Sequence, residues 1–415
     1  MPDPSPPPRR ILLADADAFF VAVARLADPE GAGRARLLIV GGSPASRGVV
    51  TSASYEARAY GVRSAMPMVR ALKLCPRATV VPVPRGACSA KSREIRQVLG
   101  RFAPLVAAAS IDEWYLDLAG TEALYEHEPL ARTAHRIREA VIAETGLSIS
   151  LGGGTSRLVA KLAVERAKPK PGSGANGVHV VEPGAELDFL AGCALAELPQ
   201  VGPRMQERLQ QAGLHTVSDA RQAGPHTLVR LLGERAGLWL DARIRGVDPS
   251  PVEERGQARS ISRDETFARD LHDDAELEAE LWQLVLRAGA DLRRAGLQAR
   301  TITVRVRDAD FTNRSASRTL GTALETDQAI GAVARALFAK LRRARRVGAR
   351  LQGVGLSQLA PAGEGPGQLA LFDEPAAALE SPRDRALAHT LDALRQRFGA
   401  GIVMPGAAQR RPEPD

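Results

Sequence analysis

An apolar run that ends in acid is the feature that most limits this chain. Ile11-Leu12-Leu13-Ala14 reads as a short buried strand, and it leads directly into Asp15-Ala16-Asp17. A second stretch, Ser110-Ile111-Asp112-Glu113-Trp114-Tyr115-Leu116-Asp117, sets two adjacent acids in another apolar, hairpin-like segment. Carboxylates inside an apolar sheet are costly unless they are paired or bound to metal. Either these acids cap turns in contact with water, or they converge from separate strands on divalent cations. Oxygen donors of this kind suit Mg2+ rather than zinc, and two such ions close together can activate a hydroxyl and stabilise a leaving phosphate. One tension is built in. Neighbouring strand residues point to opposite faces, so Asp112 and Glu113 serve one site only if the backbone turns or bulges there.

The surrounding pattern organises these acids. Residues 19–26 read as a helix, 37–40 and 49–52 as short strands, and 56–60 and 66–73 as helices broken apart at Gly61. A helix over 88–102, a hairpin within 107–118, an amphipathic helix over 130–145 stopped by Gly146, a strand over 147–151 and a helix over 155–167 follow. Strand, helix, strand pair, helix, strand is the split βαβ, ferredoxin-like order. The segment between the first helix and Arg85 is then an insertion. Residues 186–247 read as all-helical, followed by the linker Asp248-Pro249-Ser250-Pro251. A mixed unit over 257–359 has helices at 275–295 and 327–346 and an alternating strand at 301–306. A Gly/Pro-rich linker over 360–367, the pentapeptide Gln368-Leu369-Ala370-Leu371-Phe372 and an amphipathic helix over 382–398 complete the chain.

Bulk properties exclude some classes. At 415 residues, two to four domains are expected. No apolar run approaches the roughly 20 residues of a membrane helix, and no apolar segment follows the proline-rich start as in a signal peptide. Cys75, Cys88 and Cys193 are few, odd in number and in no metal spacing, which suits a reducing compartment. A cytoplasmic, nucleoid-associated protein with no membrane partner is expected. The net charge is +8, and residues 255–350 alone hold 19 Lys+Arg against 13 Asp+Glu. That is either a solvated basic face or a site for a polyanion. Only six of the 56 basic residues are lysines, and Lys161, Lys168 and Lys170 cluster.

Four motifs in register resemble those of Y-family DNA polymerases, of the bacterial DNA polymerase IV type. Asp15-Ala16-Asp17-Ala18-Phe19-Phe20 resembles their first catalytic motif, and Ser110-Ile111-Asp112-Glu113 with Tyr115-Leu116-Asp117 their second. Tyr55-Glu56-Ala57-Arg58, followed by Gly61-Val62-Arg63-Ser64-Ala65-Met66-Pro67, is similar to the fingers motif. Residues 155–169 resemble the palm segment that follows, and the likeness runs from about Ile11 to Leu359. It implies an α+β, multidomain right-hand polymerase. The palm is ferredoxin-like (1–18 and 86–180), with small fingers (19–85) and a helical thumb carrying a helix-hairpin-helix (181–247). A linker (248–256), an α/β little finger (257–359) and a tail (360–415) follow.

The resemblance also implies roles. Asp15, Asp112 and Glu113 would hold two Mg2+ ions, with the Ala16 carbonyl as a further ligand. One ion would acidify the primer 3′-hydroxyl and the other grip the triphosphate, for in-line transfer releasing pyrophosphate. Asp17 would be structural. Tyr55, Arg58 and Ser52 would contact the nucleotide phosphates, and Lys168 would add a point charge. Phe20 matches the steric gate, which leaves no room for a 2′-hydroxyl, and small residues in the fingers imply an open, weakly checking pocket. Leu198-Pro199-Gln200-Val201-Gly202 resembles the helix-hairpin-helix turn, with Gln200 where glycine is usual. Gln368, Leu369, Leu371 and Phe372 resemble a peptide that binds the sliding clamp of the replicative polymerase. The implied partners are primed template DNA, a dNTP and that clamp, for a monomer that copies past template lesions with low fidelity. Ala24, Trp114, Ser156-Arg157 and the long 169–174 turn depart from the pattern. A non-catalytic, DNA- and clamp-binding adaptor is the main rival, but such proteins lose the acids retained here. A nucleotide cyclase would share the palm but not the helix-hairpin-helix or the basic unit.

Overall fold

A computed structural model describes residues 8–169, 174–254, 256–362, 379–399 and 402–403. The chain forms two compact units that divide near residue 255. In the first, the order is β1 (Ile11–Ala16), α1 (Phe19–Ala27), β2 (Leu38–Gly41), β3 (Val50–Ala53), α2 (Tyr55–Arg58), α3 (Met68–Leu74) and β4 (Thr79–Val81). Then come α4 (Arg85–Leu99), β5 (Leu105–Ala108), β6 (Glu113–Asp117), α5 (Leu130–Thr145), β7 (Ile149–Gly154), α6 (Arg157–Ala167) and β8 (Val178–Val180). Four helices close the unit: α7 (Glu186–Ala191), α8 (Pro203–Gln211), α9 (Val217–Leu232) and α10 (Glu234–Ile244).

The main sheet has the order β5-β6-β1-β7-β8. Its first four strands are those of the ferredoxin-like unit, and β8 adds in parallel at the edge. Every residue of β1 and β7 is buried, as central strands covered on both faces must be. On one face lie α1, α4 and α5, around Leu12, Phe19, Ile95, Trp114, Leu116 and Ile137. On the other, Ile11, Leu13 and Tyr115 pack beneath Ala160 and Val164 of α6. Helix α6 reaches that depth because β7 offers no side chain at Gly152. A β-carbon there would lie 2.1 Å from the Val164 nitrogen and 2.3 Å from the Ala160 oxygen. Helix α5 shows why its bounds are legible. Leu130, Ala134, Ile137 and Val141 recur at helical spacing, and Gly146 closes the end at φ 70°.

The small sheet β3-β2-β4 belongs to the inserted segment. Strand β4, parallel to β2, has no counterpart in the sequence reading, nor does β8. Helix α6 starts two residues later than the pattern suggests, because Ser156 caps it, accepting from the Val159 N–H.

The second unit has β9 (Ser260–Leu271), α11 (Asp274–Arg294), β10 (Leu297–Asp308), β11 (Asn313–Leu324), α12 (Asp327–Ala344), β12 (Ala349–Pro361) and α13 (Pro382–Phe398). Its antiparallel sheet runs β11-β10-β12-β9. Helices α11 and α12 pack on one face over Ile302, Val304, Val306, Val354 and Leu356. Strand β12 was not foreseen as a strand, and it runs two residues into the expected 360–367 linker. The pentapeptide Gln368–Phe372 lies outside the described residues.

Candidate active site

Asp15 is the next-to-last residue of the fully buried strand β1, and antiparallel register places it directly across from Glu113 on β6 and Ser150 on β7. Side chains opposite one another on one face of a sheet are neighbours, so Asp15 and Glu113 meet. The face they share is the one covered by α6. Two lysines one heptad apart on that segment reach down to them. Lys168 Nζ lies 3.0 Å from Asp15 Oδ2, and Lys161 Nζ lies 2.6 Å from Glu113 Oε1.

Asp112 is not in the strand, which resolves the opposite-face tension. The backbone N–H groups of Ala109 and Ser110 both donate to the Glu113 carbonyl, bending the chain just before β6. In that bend the Asp112 carbonyl accepts the N–H of Ala16 at 2.9 Å, so Asp112 is locked to the turn that follows Asp15. Its carboxylate accepts from the Ser110 hydroxyl. Among the described residues, no three His, Cys, Asp or Glu side chains already close into a metal-binding cluster.

Two of the acids nonetheless already face cations, Asp15 the Lys168 ammonium and Glu113 that of Lys161. Burial pushes the Asp15 carboxyl up to about 7, and the Lys168 ammonium opposes that rise. Burial also works against the charge on Lys168, yet Asp15 and Glu165 hold its ammonium above the usual lysine range. Two buried-face carboxylates that take up whatever positive charge is nearby are a hard-oxygen donor set suited to divalent ions. On this ground the residues present fit such ions.

Asp17 is held differently. It accepts from the hydroxyls of Ser148 at 2.7 Å and Ser150 at 2.8 Å, so each of its carboxylate oxygens is engaged by β7 or the residue before it. The turn from β1 into α1 passes through Ala18 at φ 46°, a left-handed conformation costly for alanine. That turn sets Phe19 into the core and leaves Phe20 half-buried beside it, ring edge to ring face at 5.4 Å.

The inserted segment contributes a third group. Arg58 Nε donates to the Ala53 carbonyl at 2.9 Å, its Nη2 reaches Ser52 Oγ at 3.4 Å, and its guanidinium lies 5.0 Å from the Tyr55 ring. Tyr55 is raised first by burial and then by Asp17. Arg58 and Lys168 pull it down while Asp15 adds to the rise, so Tyr55 shares one field with the carboxylates. The structure therefore brings Asp15, Glu113, Lys161 and Lys168 together, groups Tyr55, Arg58 and Ser52 on the inserted segment, and ties Asp112 to Ala16 through its backbone. Lys161 as the partner of Glu113 was not assigned from sequence, although its signal was present in the clustering of scarce lysines.

Two further surfaces, one in each unit, carry polar backbone or side-chain groups. In the turn before α8, Gln200 takes φ 72°, the conformation that glycine adopts freely, and Gly202 caps the helix ahead of Pro203. In the second unit, the sheet face away from the helices is hydroxyl- and arginine-rich. Thr301 and Thr319 bond at 2.8 Å, Thr303 and Ser317 at 3.0 Å, and Arg307 donates to Asn313 at 2.7 Å.

Residues 14–165 match the impB/mucB/samB family, and residues 258–371 match the C-terminal domain of that family. A DNA polymerase IV of Dehalococcoides mccartyi strain CBDB1 is 35% identical over 97% of this chain and 98% of its own length. A DNA polymerase IV of Desulfatibacillum aliphaticivorans is 37% identical over 96% of each. Among solved structures, the Y-family DNA polymerase chimera Dbh-Dpo4(243-245)-Dbh superposes with a TM-score of 0.75. It is 24% identical, over 85% of this chain and 99% of its own. An insertion ternary complex of Dbh DNA polymerase gives a TM-score of 0.59 over 84% and 98%, at 24% identity.

Proposed function

From the chain's membership of the impB/mucB/samB family, as a DNA polymerase IV-type member of the Y-family DNA polymerases, we propose how its own residues carry out that work. The protein is a translesion, DNA-directed DNA polymerase that acts on DNA and deoxynucleotides and depends on divalent metal. The observation that carries the residue-level reading is the register pair Asp15–Glu113, with Asp112 bound to the turn beside it.

Asp15, Asp112, Glu113 and the Ala16 carbonyl would hold two Mg2+ ions, which supply activation of the primer hydroxyl and charge neutralisation at the triphosphate. Lys168 stands at the edge of that set, placed to transfer its charge from Asp15 to a phosphate oxygen. Arg58 presents a planar fork from the inserted segment, oriented by the Ala53 carbonyl, and Tyr55 and Ser52 add hydroxyl donors on the same side. Phe20, fixed against Phe19, is the wall at the sugar. The 198–202 turn and the hydroxyl- and arginine-rich sheet of the second unit hold the DNA backbone without reading sequence.

The test is extension of a primed template with dNTPs and Mg2+, on undamaged and damaged templates. Synthesis across a template lesion is the expected result. DNA binding without any extension would establish the non-catalytic adaptor instead. The pentapeptide Gln368, Leu369, Leu371 and Phe372 would bind the sliding clamp. Its deletion is expected to remove the clamp's stimulation of synthesis and leave unassisted extension unchanged, as read by paired assays with and without clamp. Stimulation that survives the deletion refutes this role. We place the enzyme as a monomer working on DNA in the cytoplasm, in keeping with its three buried, unbridged cysteines.

A further inference from the structure

Helix α13 lies beyond everything the polymerase chemistry uses, and it is docked in an unusual way. Its attachment to the second unit is ionic. Arg293 of α11 is buried, and its guanidinium bonds Asp392 of α13 at 2.7 and 2.9 Å and Asp327 of α12 at 2.8 Å. Glu380, just ahead of α13, accepts the N–H groups of Glu325 and Thr326 at 3.0 and 2.9 Å and so closes the start of α12. Arg395 approaches Asp327 at 3.5 Å. Of the α13 side chains, only Ala388 is fully buried. The docked positions 385, 388, 392 and 395 follow one helical stripe.

The leucines follow another stripe, roughly a third of a turn away at about 100° per residue. Leu387, Leu391, Leu394 and Phe398 recur at i, i+4, i+7 and i+11. Leu387 is 55% exposed, Leu394 37% and Phe398 57%, and Leu379 just upstream is 50% exposed. A continuous apolar row on an otherwise well-anchored helix marks an interaction surface. Exposed arginines, Arg383 and Arg397, stand toward the two ends of the row. A second copy laid antiparallel along it would set Arg383 against Arg397, and a parallel copy would set each arginine against itself. A symmetric self-pair is therefore disfavoured, and the row fits a different protein whose apolar surface has an acidic rim.

We propose that this row is a second contact for the sliding clamp, seated on the clamp surface beside the pocket that takes the pentapeptide. The inference rests on the reading of residues 368–372 as the clamp-binding peptide. Six residues lie between Phe372 and Leu379, seven steps of chain and a span of at most about 25 Å. A clamp held by the pentapeptide therefore cannot lie far from α13. The ionic docking fixes the helix on the second unit, so this contact would orient the polymerase on the clamp as well as tether it. Two linked contacts raise the affinity above that of either alone.

The experiment is surface plasmon resonance of the full chain on immobilised, purified clamp, with primer extension without clamp and Tm as controls. Three variants are compared with the parent: Leu387→Ser/Leu394→Ser, Arg383→Glu/Arg397→Glu, and Leu371→Ala/Phe372→Ala. The leucine variant is expected to raise Kd about tenfold. The arginine variant is expected to raise it by a smaller factor that shrinks in high salt. In both, Tm and clamp-free extension should stay unchanged. A leucine variant that binds within twofold of the parent overturns the proposal. So does a leucine variant whose Tm falls without clamp, because the row would then be covered by this chain itself. The pentapeptide variant reports separately on the underlying reading: full binding there refutes the peptide, whatever the leucines do.

Discussion

Asp112→Ala is expected to lower primer extension by at least about 10²-fold while leaving DNA binding intact. Among the three candidate acids, Asp112 gives the cleanest test. Asp15 and Glu113 each carry a lysine, so removing either acid also breaks an ion pair at the site and mixes a local structural change with the chemistry. The Asp112 carboxylate bonds only the neighbouring Ser110 hydroxyl among the contacts seen, and the bend is held by backbone bonds that alanine keeps. A single-nucleotide extension assay, with DNA binding by fluorescence anisotropy alongside, separates the two effects. An unchanged rate would remove Asp112 from the metal set, and with it the two-ion assignment.

Phe20→Ala is expected to raise ribonucleotide incorporation relative to deoxynucleotide on the order of 10²-fold, equivalent to relief of a clash of about 3 kcal/mol. The ring can act as a wall because it is held. It packs edge to face on the fully buried Phe19 and sits on a helix launched by the left-handed Ala18 turn beside Asp15. The variant also loses an aromatic pair worth about 0.5–1.5 kcal/mol, so some fall in Tm accompanies the change. The selectivity ratio, measured with both nucleotide types on one template, is insensitive to that loss. An unchanged ratio would return Phe20 to plain core packing.

How much of this was legible in the sequence depends on the distance over which each feature is encoded. The bounds of α5 and α13 coincide with the reading, because helical periodicity and the caps Gly146 and Ser381 are local signals. Strand β1 was legible from four apolar residues ending in acid. Strands β4 and β8, three residues each, were not, since Thr-Val-Val and Val-His-Val gain strand character only from parallel partners elsewhere in the chain. The alternation rule warned that Asp112 and Glu113 could not both belong to a straight strand. It could not say that a bend bonded to Ala16 would decide the matter. The glycines of β7 were visible, but their meaning was not. Only the packed helix reveals that Gly152 is what lets Lys161 and Lys168 come down onto the acids. The docking of α13 was beyond reach for the same reason. Arg293 and Asp392 are 99 positions apart, and nothing local to either names the other.

The two lysines resting on the carboxylates have a consequence for the life of the enzyme between substrates. Because its acidic centre is already paired from within, the molecule is expected to keep its shape when divalent ions are chelated, unlike small domains that assemble only around their metal. Scarcity of the ion would silence such a catalyst without dismantling it, and the ion's return would restart it with no refolding step.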